Sequence, residues 1–449
     1  MAEQFDVVVL GAGNAGIGAA SVARAAGLSV AIVEGRDVGG TCALRGCVPK
    51  KVLVAAAQAM HQISRAPIHE IELGSVRLDW GKLIARERSF VEGASARFDA
   101  NLVEHGIALK RGRGRFAGPK RIAIGDDLVE GEKIVIATGS RPRPLKIAGA
   151  EHLITSEDIL EMTELPKSLV FIGGGVVALE FSHVFARAGC KVTILEATDR
   201  LLPALDEEAV GVLQGESVRI GIEVHRGVTV EGVRVEGNQL AVQARIAGKP
   251  RQFTAERVAN GAGRIADLDD LDLEEGNVSY EGTKIAVDSH LRSTSNPRVY
   301  VAGDALWSAP QLSPVASYTG RLVGENIVKG DQRTADYEAI PANVYTVPGL
   351  ASVGRTEAAL TAAGRKFEVK RTDMTDWRSA RTYAETAAFA KVMVEKGSGR
   401  ILGAHLVGHG AEEVIHLFAF AMKYGIDADA LAGNVYAYPS FSSDLKYLV

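Results

Sequence analysis

A glycine-rich turn that occurs twice in the same context limits the folds open to this chain more than any other feature of its sequence. An apolar run at residues 6–10 leads into Gly11-Ala12-Gly13-Asn14-Ala15-Gly16, a helical pattern covers residues 17–26, and a second apolar run at residues 29–33 ends in Glu34. This order predicts a βαβ unit. The glycines permit a tight turn and close approach to a pyrophosphate at the helix N-terminus, and the acid can accept from ribose hydroxyls. The N-terminal region is therefore predicted to bind a dinucleotide.

The same pattern returns further along the chain. Residues 168–172 form an apolar run, a second glycine turn follows, a helix is predicted to about residue 188, and residues 190–195 lead to another acid. Three pairs of equivalent residues are each 162 positions apart: Gly11 and Gly173, Gly16 and Ala178, and Glu34 and Glu196. One shared offset across glycines and acid predicts a second dinucleotide site of the same design. Cys190, inside the last strand pattern, is predicted to be a core residue.

The two other cysteines, Cys42 and Cys47, lie five positions apart, between a diglycine and Lys50-Lys51. If a helix opens at Thr41, its N–H groups and positive dipole end favour thiolate over thiol, as do the nearby Arg45 and lysines. Such surroundings lower a cysteine pKa from about 8.5 to roughly 3.5–7.5. The stretch predicts a reactive dithiol that can share one disulfide; the alternative is two small core residues.

Composition excludes several classes of function. A chain of 449 residues is expected to hold two to four domains, and its 47% hydrophobic content is ordinary for a globular protein. A formal net charge of −4 does not indicate a basic surface that would bind nucleic acid or an anionic membrane. The basic run at residues 110–115 is expected to be a solvated loop. Three cysteines do not make a secreted disulfide scaffold, and the apolar runs are too short and glycine-interrupted to span a membrane. We therefore expect a cytoplasmic protein.

The dithiol stretch and the two glycine motifs resemble the class I pyridine nucleotide-disulfide oxidoreductases, the family of glutathione reductase, dihydrolipoamide dehydrogenase and mercuric reductase. The resemblance covers nearly the whole chain. It implies an α/β fold with two doubly wound dinucleotide-binding domains, for FAD and NAD(P), and a C-terminal α+β dimerisation domain. It also implies that Cys42 is the interchange thiol facing the substrate and that Cys47 lies against the flavin.

The resemblance divides the chain into an FAD domain at residues 1–145 and 265–335, an NAD(P) domain at 146–264, and an interface domain at 336–449. FAD belongs to the first glycine motif because the dithiol begins only five residues after Glu34. The implied FAD-binding residues are Gly11, Gly13, Gly16, Glu34, Thr41, Gly139, Gly303 and Asp304, the last holding the ribityl chain. The implied NAD(P)-binding residues are Gly173, Gly175, Ala178, Glu196 and Gly263.

The choice of nicotinamide nucleotide depends on Glu196. A carboxylate there pairs with the ribose 2′-hydroxyl of NADH and repels the 2′-phosphate of NADPH, although Arg200, four residues on, can offset this repulsion. We expect NADH rather than NADPH.

Two further catalytic residues follow from the resemblance. Glu180 stands where the family has a glutamate that pairs with a lysine near the flavin and nicotinamide, here Lys50. Removing one partner of such a buried pair leaves an uncompensated charge. Val176 stands where glutathione reductases have a tyrosine over the flavin and where mercuric reductases have a valine.

The C-terminal region departs from the family pattern. The disulfide-reducing members carry a His-Pro-Thr stretch with a glutamate five residues after the histidine, an acid–base dyad. This chain has Tyr438 in place of the histidine and Ser443 in place of the glutamate, with Asp444 one position late. A tyrosine with a pKa near 10 can donate a proton but is a poor base at neutral pH. We expect Tyr438 to serve as a donor.

The sequence therefore predicts a homodimeric, glutathione-reductase-like FAD enzyme that passes electrons from NAD(P)H to a small disulfide, with each active site completed by the partner's C-terminal tail. Two alternative functions are also enzymatic. One is a metal-ion or quinone reductase, suggested by Val176 and Tyr438, and the other is a dihydrolipoamide dehydrogenase-like enzyme. A third is a flavoprotein redox sensor with little turnover, suggested by the altered dyad. No bound metal is expected, because His405, His409 and His416 lack ligand spacing.

Overall fold

The computed structural model describes residues 2–449 and divides into two compact units. The first unit comprises residues 2–50, 85–143 and 264–337, and the second comprises residues 51–84, 144–263 and 338–449. The finer division into FAD, NAD(P) and interface domains stays a prediction.

The α-helices of residues 2–449 lie in both units. In chain order they are α1 (Asn14–Ala25), α2 (Gly40–Arg45), α3 (Cys47–Arg65), α4 (Trp80–Val91), α5 (Ala94–Glu104), α6 (Ser156–Glu161), α7 (Val176–Arg187), α8 (Glu207–Arg219), α9 (Ser313–Lys329), α10 (Glu357–Ala362), α11 (Arg378–Thr382), α12 (Ala411–Tyr424) and α13 (Ala428–Gly433). Short 3₁₀ helices cover Ala66–His69, Ala150–His152, Gly303–Ala305 and Phe441–Tyr447.

The β-strands of the same residues are numbered separately. They are β1 (Glu3–Leu10), β2 (Val30–Glu34), β3 (Ala108–Arg111), β4 (Gly114–Phe116), β5 (Arg121–Ile124), β6 (Asp127–Ile136), β7 (Ser140–Pro142), β8 (Ser168–Ile172), β9 (Lys191–Leu195), β10 (Glu223–His225), β11 (Val228–Glu236), β12 (Gln239–Ile246), β13 (Lys249–Ala255), β14 (Arg257–Asn260), β15 (Arg264–Ala266), β16 (Tyr280–Glu281), β17 (Lys284–Ile285), β18 (Val299–Val301), β19 (Ala342–Val344), β20 (Gly349–Gly354), β21 (Phe367–Asp373), β22 (Phe389–Glu395) and β23 (Ile401–Gly408).

The first unit is built on a sheet with the strand order β3-β2-β1-β6-β5-β4, and β18 also pairs with β6. Its central strands are parallel: Val9 of β1 lies opposite Ile32 of β2 and Val135 of β6. These side chains are fully buried, as expected for β-branched residues in a parallel sheet that is covered on both faces. The strand ends place the first glycine turn at the carboxyl edge of the sheet, where such folds bind ligands.

Helices α1 and α9 pack closely because small residues line their contact. A Cβ added at Gly320 of α9 would lie 2.2 Å from the carbonyl oxygen of Ala15 in α1, and one at Gly324 would lie 2.7 Å from Cβ of Val22. The two backbones therefore touch, and this contact fixes the N-terminus of α9 beside the first glycine turn.

The second unit contains a smaller parallel sheet, β10-β9-β8-β14, and an antiparallel sheet, β11-β12-β13. In the parallel sheet, Phe171 of β8 lies opposite Ile194 of β9 and Ala259 of β14. Helix α7 follows β8 directly, so the second βαβ unit has the predicted order. The predicted α/β class with two parallel dinucleotide-binding sheets is confirmed.

The same unit also contains the antiparallel sheet β19-β20-β23-β22-β21. Every residue of β23 is buried, and the apolar face of α12 packs against this sheet through Ile415 and Phe418. The mixture of strands and helix agrees with the α+β character that was expected for the C-terminal region.

Three local expectations need correction. Helix α2 begins at Gly40 rather than Thr41, and strand β9 begins at Lys191, so Cys190 lies just before it although it is buried in the core as predicted. The basic run at residues 110–115 is a loop only at residues 112–113, because residues 110–111 end β3 and residues 114–115 begin β4. Its charges form ion pairs with carboxylates of the same unit: Lys110 with Glu3, Arg111 with Asp99, Arg113 with Asp270, and Arg115 with Asp272.

Among the helices of residues 2–449, none combines the length and the apolar character needed to cross a bilayer.

Candidate active site

The first glycine turn is shaped by close backbone packing. Gly11 has a φ of +106°, and a Cβ there would lie 2.4 Å from the carbonyl oxygen of Ala137. A Cβ at Gly16 would lie 1.9 Å from the carbonyl oxygen of Gly11. Gly13 differs, because the nearest atom to its added Cβ is Cα of Gly40 at 3.8 Å. Two of the three glycines are thus required by the fold, and the third leaves the face of the turn open.

Two acids hold the two glycine turns in the same way. Glu34 accepts from the backbone N–H of Ala12 at 2.7 Å, and Glu196 accepts from that of Gly174 at 2.6 Å. The other carboxylate oxygen of each acid accepts from the backbone N–H two residues on, in Arg36 and Thr198. The repeat found in the sequence therefore extends to individual hydrogen bonds.

The second glycine turn packs against residues 261–263. A Cβ at Gly173, whose φ is +100°, would lie 2.6 Å from the backbone nitrogen of Ala262. A Cβ at Gly261 would lie 2.5 Å from the carbonyl oxygen of Gly173 and 2.8 Å from Cβ of Ala178. Gly175 caps α7, and Gly263 has a φ of +91°. The structure thus brings together all five residues predicted for NAD(P), in the second unit.

The guanidinium of Arg200 is hydrogen-bonded to backbone carbonyl oxygens of its own loop. Its guanidinium donates to the carbonyl oxygen of Leu205 at 3.1 Å and to that of Pro203. Binding a 2′-phosphate would require Arg200 to give up these contacts, whereas Glu196 already faces the glycine turn.

The dithiol stretch is a break between two helices. Cys42 is the third residue of α2, the chain turns at Gly46, and Cys47 is the first residue of α3. A Cβ at Gly46 would approach the carbonyl oxygen of Thr41 to 2.9 Å. Cys47 therefore lies at the N-terminus of a 19-residue helix, where the helix dipole favours a thiolate.

The diglycine fixes the dithiol against the first glycine turn. The N–H of Gly39 donates to the carbonyl oxygen of Ala12 at 2.9 Å. Gly40 has a φ of +67°, and a Cβ there would lie 2.7 Å from Cα of Gly13. The thiols and the first dinucleotide motif thus belong to one site in the first unit.

The two cysteines differ in exposure and electrostatics. Cys42 is half-buried and Cys47 is exposed. A hydrogen bond between the two side chains lowers the pKa of Cys42 to about 6, against the effect of burial; the hydroxyl of Ser313 lowers it further, whereas the charge of Asp304 raises it. At that pKa about nine-tenths of Cys42 is thiolate at neutral pH. Burial instead raises the pKa of Cys190 to about 12, so Cys190 is inert.

Ser313 begins α9 and is held by the amide of Asn14, which donates to its hydroxyl at 2.6 Å. Both residues lie in the first unit. Neither residue was predicted from the sequence to take part in the site. The Ser313-Pro314 pair is a helix-start signal that could have placed Ser313 at a helix N-terminus, but nothing local indicates its contact with Cys42, which lies 271 positions earlier in the chain.

Asp304 lies in the 3₁₀ helix that follows β18, and it is held by Ser140. The Ser140 hydroxyl donates to the carboxylate at 2.9 Å, and Arg264 donates to Ser140 at 3.0 Å. Burial raises the pKa of Asp304, and both Ser140 and the positive charge of Arg264 oppose this effect. Asp304 thus presents an anchored acceptor in the same unit as the dithiol.

The first unit fits the flavin dinucleotide that the family would place there. The hydroxyl of Thr138 is buried and has no hydrogen-bond partner among residues 2–449. Thr138 precedes Gly139, which has a φ of +77°, and follows the strand that packs on Gly11. An unsatisfied buried hydroxyl beside an open glycine turn is the arrangement expected where a polar ligand supplies the missing partner. Gly303 also requires a glycine, because its φ is +67° and a Cβ added there would clash with the side chain of Ala15.

Lys50 and Glu180 lie in different units, and their pairing stays a prediction. Glu180 is 4% exposed and accepts from the backbone N–H of Tyr345 at 2.8 Å. The ammonium of Lys51 lies 3.9 Å from the centre of the Tyr345 ring. Tyr345 is therefore a neighbour of Glu180 that the sequence did not reveal.

Tyr438 is exposed, and its hydroxyl accepts from the guanidinium of Arg378 at 2.8 Å. Asp444 lies nearby in sequence, and burial raises its pKa, against a hydrogen bond from Ser379. Both partners, Arg378 and Ser379, lie in α11, a helix that was not predicted from the sequence.

Residues 2–449 contain no group of three or more histidine, cysteine or acidic side chains arranged to hold a metal ion. His405 is buried and contacts Ser352 and the backbone of Arg355, and His409 pairs with Glu385.

Comparison with known proteins identifies the family. Residues 5–320 match the model of pyridine nucleotide-disulphide oxidoreductases, and residues 340–449 match the dimerisation domain of the same family. A mercuric reductase of Streptomyces lividans is 34% identical over 98% of this chain and 95% of its own length. A glutathione reductase of Burkholderia cepacia is 32% identical over 93% of this chain and 92% of its own length.

A solved structure agrees with this assignment. The Cu(II) complex of the HOCl-induced flavoprotein disulfide reductase RclA from Escherichia coli superposes with a TM-score of 0.89 at 26% identity, covering 99% of both chains. The dimerisation domain supports a homodimer. The chain therefore belongs to the pyridine nucleotide-disulphide oxidoreductase family, as an FAD-dependent enzyme of the glutathione reductase, lipoamide dehydrogenase and mercuric reductase type that acts on sulfur groups and takes its electrons from NAD(P)H.

Proposed function

We propose that this enzyme reduces a small disulfide with NADH, through a redox-active disulfide between Cys42 and Cys47. The observation that carries the proposal is the dithiol itself: an exposed Cys47 hydrogen-bonded to a Cys42 whose pKa is lowered to about 6, both held against the first glycine turn. A thiolate available at neutral pH is the species that attacks a disulfide.

The chemistry of the substrate half-reaction needs only the two cysteines and a proton donor. The Cys42 thiolate attacks one sulfur of the substrate, forming a mixed disulfide and expelling the other sulfur as a thiolate. Cys47 then gives up its proton, which passes to the expelled thiolate, and as a thiolate it displaces the bound sulfur as a second thiolate and forms the Cys42–Cys47 disulfide. FAD, when bound by the first unit, supplies a two-electron carrier between the nicotinamide nucleotide and this disulfide. Holding both thiols within hydrogen-bond distance of each other makes the second displacement intramolecular.

Tyr438 is our candidate for protonating the leaving thiolate, in a site that the partner's C-terminal tail completes. Its hydroxyl accepts from Arg378 and so retains its own proton for donation. This arrangement suits reduction of a disulfide with a good leaving group better than lipoamide oxidation, which needs a base.

The preference for NADH is supported by Glu196 and Arg200. Glu196 lies at the glycine turn, and the guanidinium of Arg200 is engaged with backbone carbonyl oxygens of its own loop. Lys50 and Glu180 are proposed to form the buried pair near flavin and nicotinamide.

The test is steady-state turnover of the FAD-loaded dimer with NADH and a panel of disulfides that includes glutathione disulfide, cystine and lipoamide. We expect turnover with at least one disulfide and its loss in both Cys42→Ser and Cys47→Ser. Cys190→Ser, at a buried cysteine with a raised pKa, is the matched control and is expected to stay active. No turnover of any disulfide would contradict the proposal, and negligible turnover of every acceptor would favour a redox sensor.

A second candidate is reduction of a thiophilic metal ion. It is favoured by the similarity to a mercuric reductase and to a disulfide reductase solved as a Cu(II) complex, and by Val176, which is exposed at the start of α7. Turnover with Hg(II) or Cu(II) but with no disulfide would support it. Turnover with a quinone that survives Cys42→Ser would instead indicate an acceptor that bypasses the thiols.

A further inference from the structure

The segment that carries Tyr438 is held by a second segment of the interface region. We call residues 377–385 the strap and residues 438–447 the C-terminal segment. Besides the hydrogen bond from Arg378 to Tyr438, the ring of Tyr383 lies 5.5 Å from that of Phe441. The ring of Trp377 meets that of Tyr447 edge-on at 6.0 Å. The strap therefore contacts the C-terminal segment at three points.

The strap ends in a buried carboxylate with two histidine partners. One oxygen of Glu385 lies 3.3 Å from Nε2 of His61, and the other lies 3.4 Å from Nδ1 of His409. The side chains of Glu385 and His61 are each only 4% exposed. Arg65, one turn after His61 in α3, donates to the backbone of Ala384 and to Thr386. Helix α3 thus fixes the end of the strap.

His409 joins the strap to the C-terminal segment through its ring. The imidazole stacks on Tyr383 at 4.9 Å with an interplanar angle of 14°, and on Phe441 at 5.0 Å with an angle of 27°. The same ring is therefore bonded to the Glu385 carboxylate through one edge and packed on both segments through its face.

The charges around this cluster favour a protonated His409. The hydrogen bond that His409 donates to the Glu385 carboxylate raises the pKa of His409 against burial, and the charges of Glu385 and Glu412 add to the effect. Burial would raise the pKa of Glu385, but His409 and His61 outweigh it and hold the pKa at about 2. The other groups that act on or line the cluster are Arg65, His69, Arg187, Glu216 and Arg219.

We propose that Glu385 and His409 are positioning residues for the C-terminal segment, and that the protonated His409 paired with Glu385 holds this segment in the arrangement used by the substrate site. The inference rests on the proposed function, because it gives the C-terminal segment a part in disulfide reduction. His61 and Arg65 fix the carboxylate, Glu385 holds the imidazolium, and its ring holds Tyr383 against Phe441.

The direction of the pH dependence follows from the two groups. A histidine with a raised pKa contributes its full stabilisation below its ordinary pKa and loses it as the pH rises through the raised value. The depressed carboxyl of Glu385 contributes above its ordinary pKa and fails only in strong acid. The segment is therefore held most firmly in weakly acid to neutral solution and loosens on the alkaline side.

The first test measures hydrogen exchange of the C-terminal segment in the FAD-loaded dimer, expressed as protection factors so that the intrinsic pH dependence of exchange is removed. We expect protection to fall as the pH rises through the pKa of His409. Glu385→Gln removes the charge and should lower protection by about tenfold or more. His409→Phe keeps a ring for stacking without a titrating proton, so its protection should not change with pH. His416→Gln, at an exposed histidine of α12 outside the cluster, is the matched control and should behave as the native protein.

The second test links the segment to turnover. The pH profile of kcat/KM for the disulfide should lose its alkaline limb in His409→Phe, whereas NADH-dependent ferricyanide reduction, which needs no dithiol, should be unchanged. Native protection that is independent of pH, or native protection in Glu385→Gln, would overturn the inference. Because exchange needs no substrate, failure of the proposed disulfide activity would leave the first test intact and be recognised separately.

Discussion

At the scale of single residues, Glu34 and Glu196 have a role that the glycine motif in the sequence does not reveal. Each was predicted to meet a ribose, yet each also accepts from two backbone N–H groups of its own turn. The acid therefore shapes the glycine turn before any nucleotide binds. The equivalence of the two sites makes each acid a control for the other.

We predict that Glu196→Gln shifts nucleotide preference. Loss of the charge removes the repulsion of a 2′-phosphate and weakens the acceptor for the 2′-hydroxyl, so the ratio of kcat/KM for NADH to that for NADPH should fall by about tenfold. Glu34→Gln makes the same change in the first turn and should leave this ratio unchanged. Steady-state kinetics with both nucleotides would measure it, and an unchanged ratio in Glu196→Gln would contradict the NADH assignment.

We also predict that Cys42 is alkylated as a thiolate at mildly acid pH. Its pKa of about 6 means that reaction of the reduced protein with iodoacetamide should reach half its limiting rate near that pH and rise above it. Ser313→Ala removes a hydrogen bond and should move the midpoint to higher pH. Peptide mass spectrometry can follow Cys42 separately from Cys190, the buried internal control. A midpoint at the ordinary cysteine value would show that the hydrogen bonds from Cys47 and Ser313 have no effect.

At the scale of elements, the dithiol shows what local sequence can and cannot predict. The glycines, acids and cysteines were found because the βαβ unit requires them at fixed spacings, which can be recognised in the sequence. The division of the cysteines between α2 and α3 was not foreseen, because the spacing of the cysteines does not indicate that α2 ends at Arg45 and that the chain turns at Gly46. Ser313, Gly261 and Tyr345 were missed for a related reason: each reaches the site through contacts between residues far apart in sequence.

A buried charge cluster joins elements of the second unit. Lys391 of β22 is 3% exposed and pairs with Asp206 at 2.9 Å, Glu208 at 2.5 Å and Glu357 at 2.7 Å. Because Asp206 caps α8 and Glu357 begins α10, one ammonium connects two helices to the antiparallel sheet.

We predict that Lys391→Met destabilises this unit by about 3–5 kcal/mol, because it leaves the buried carboxylate of Asp206 without its cation. Lys396→Met removes an exposed lysine from the turn after the same strand and should have little effect. Urea unfolding of both variants would measure the difference. The hydrogen bond from Lys391 lowers the pKa of Glu357, so the contribution is present at neutral pH and is lost as the pH falls through the lowered value. Equal stability of the two variants would contradict this account of the cluster.

At the scale of the whole molecule, the sequence repeat was enough to predict two nucleotide-binding sheets, because each βαβ unit forms from contiguous residues. The grouping of residues 51–84 with the second unit was not foreseen, and neither was the cluster of His61, Glu385 and His409. Residues more than 300 positions apart meet there, and no spacing rule connects them. The same limit applies to the pairing of Lys50 with Glu180 and to the sharing of sites between protomers, which stay predictions.

We predict that inactive variants of the two protomers complement each other if sites are shared. Cys42→Ser and Tyr438→Ala homodimers should both be nearly inactive toward the disulfide substrate. Random reassociation of an equal mixture should restore about a quarter of native activity, because half of the dimers then contain one intact site. Turnover after mixing and reassociation would measure it. Full activity of Tyr438→Ala, or no recovery on mixing, would contradict a shared site that uses Tyr438.

The central claim, that Cys42 and Cys47 exchange electrons with the flavin, is tested most directly by anaerobic titration of the oxidised FAD-loaded protein with NADH. We expect a long-wavelength absorption band from a thiolate lying against the flavin, together with two newly titratable thiols, and we expect the band to be absent in Cys47→Ser. Titration with NADPH under the same conditions would compare the two donors. Bleaching of the flavin with no such band and no new thiols would show that the dithiol takes no part, and would contradict the account.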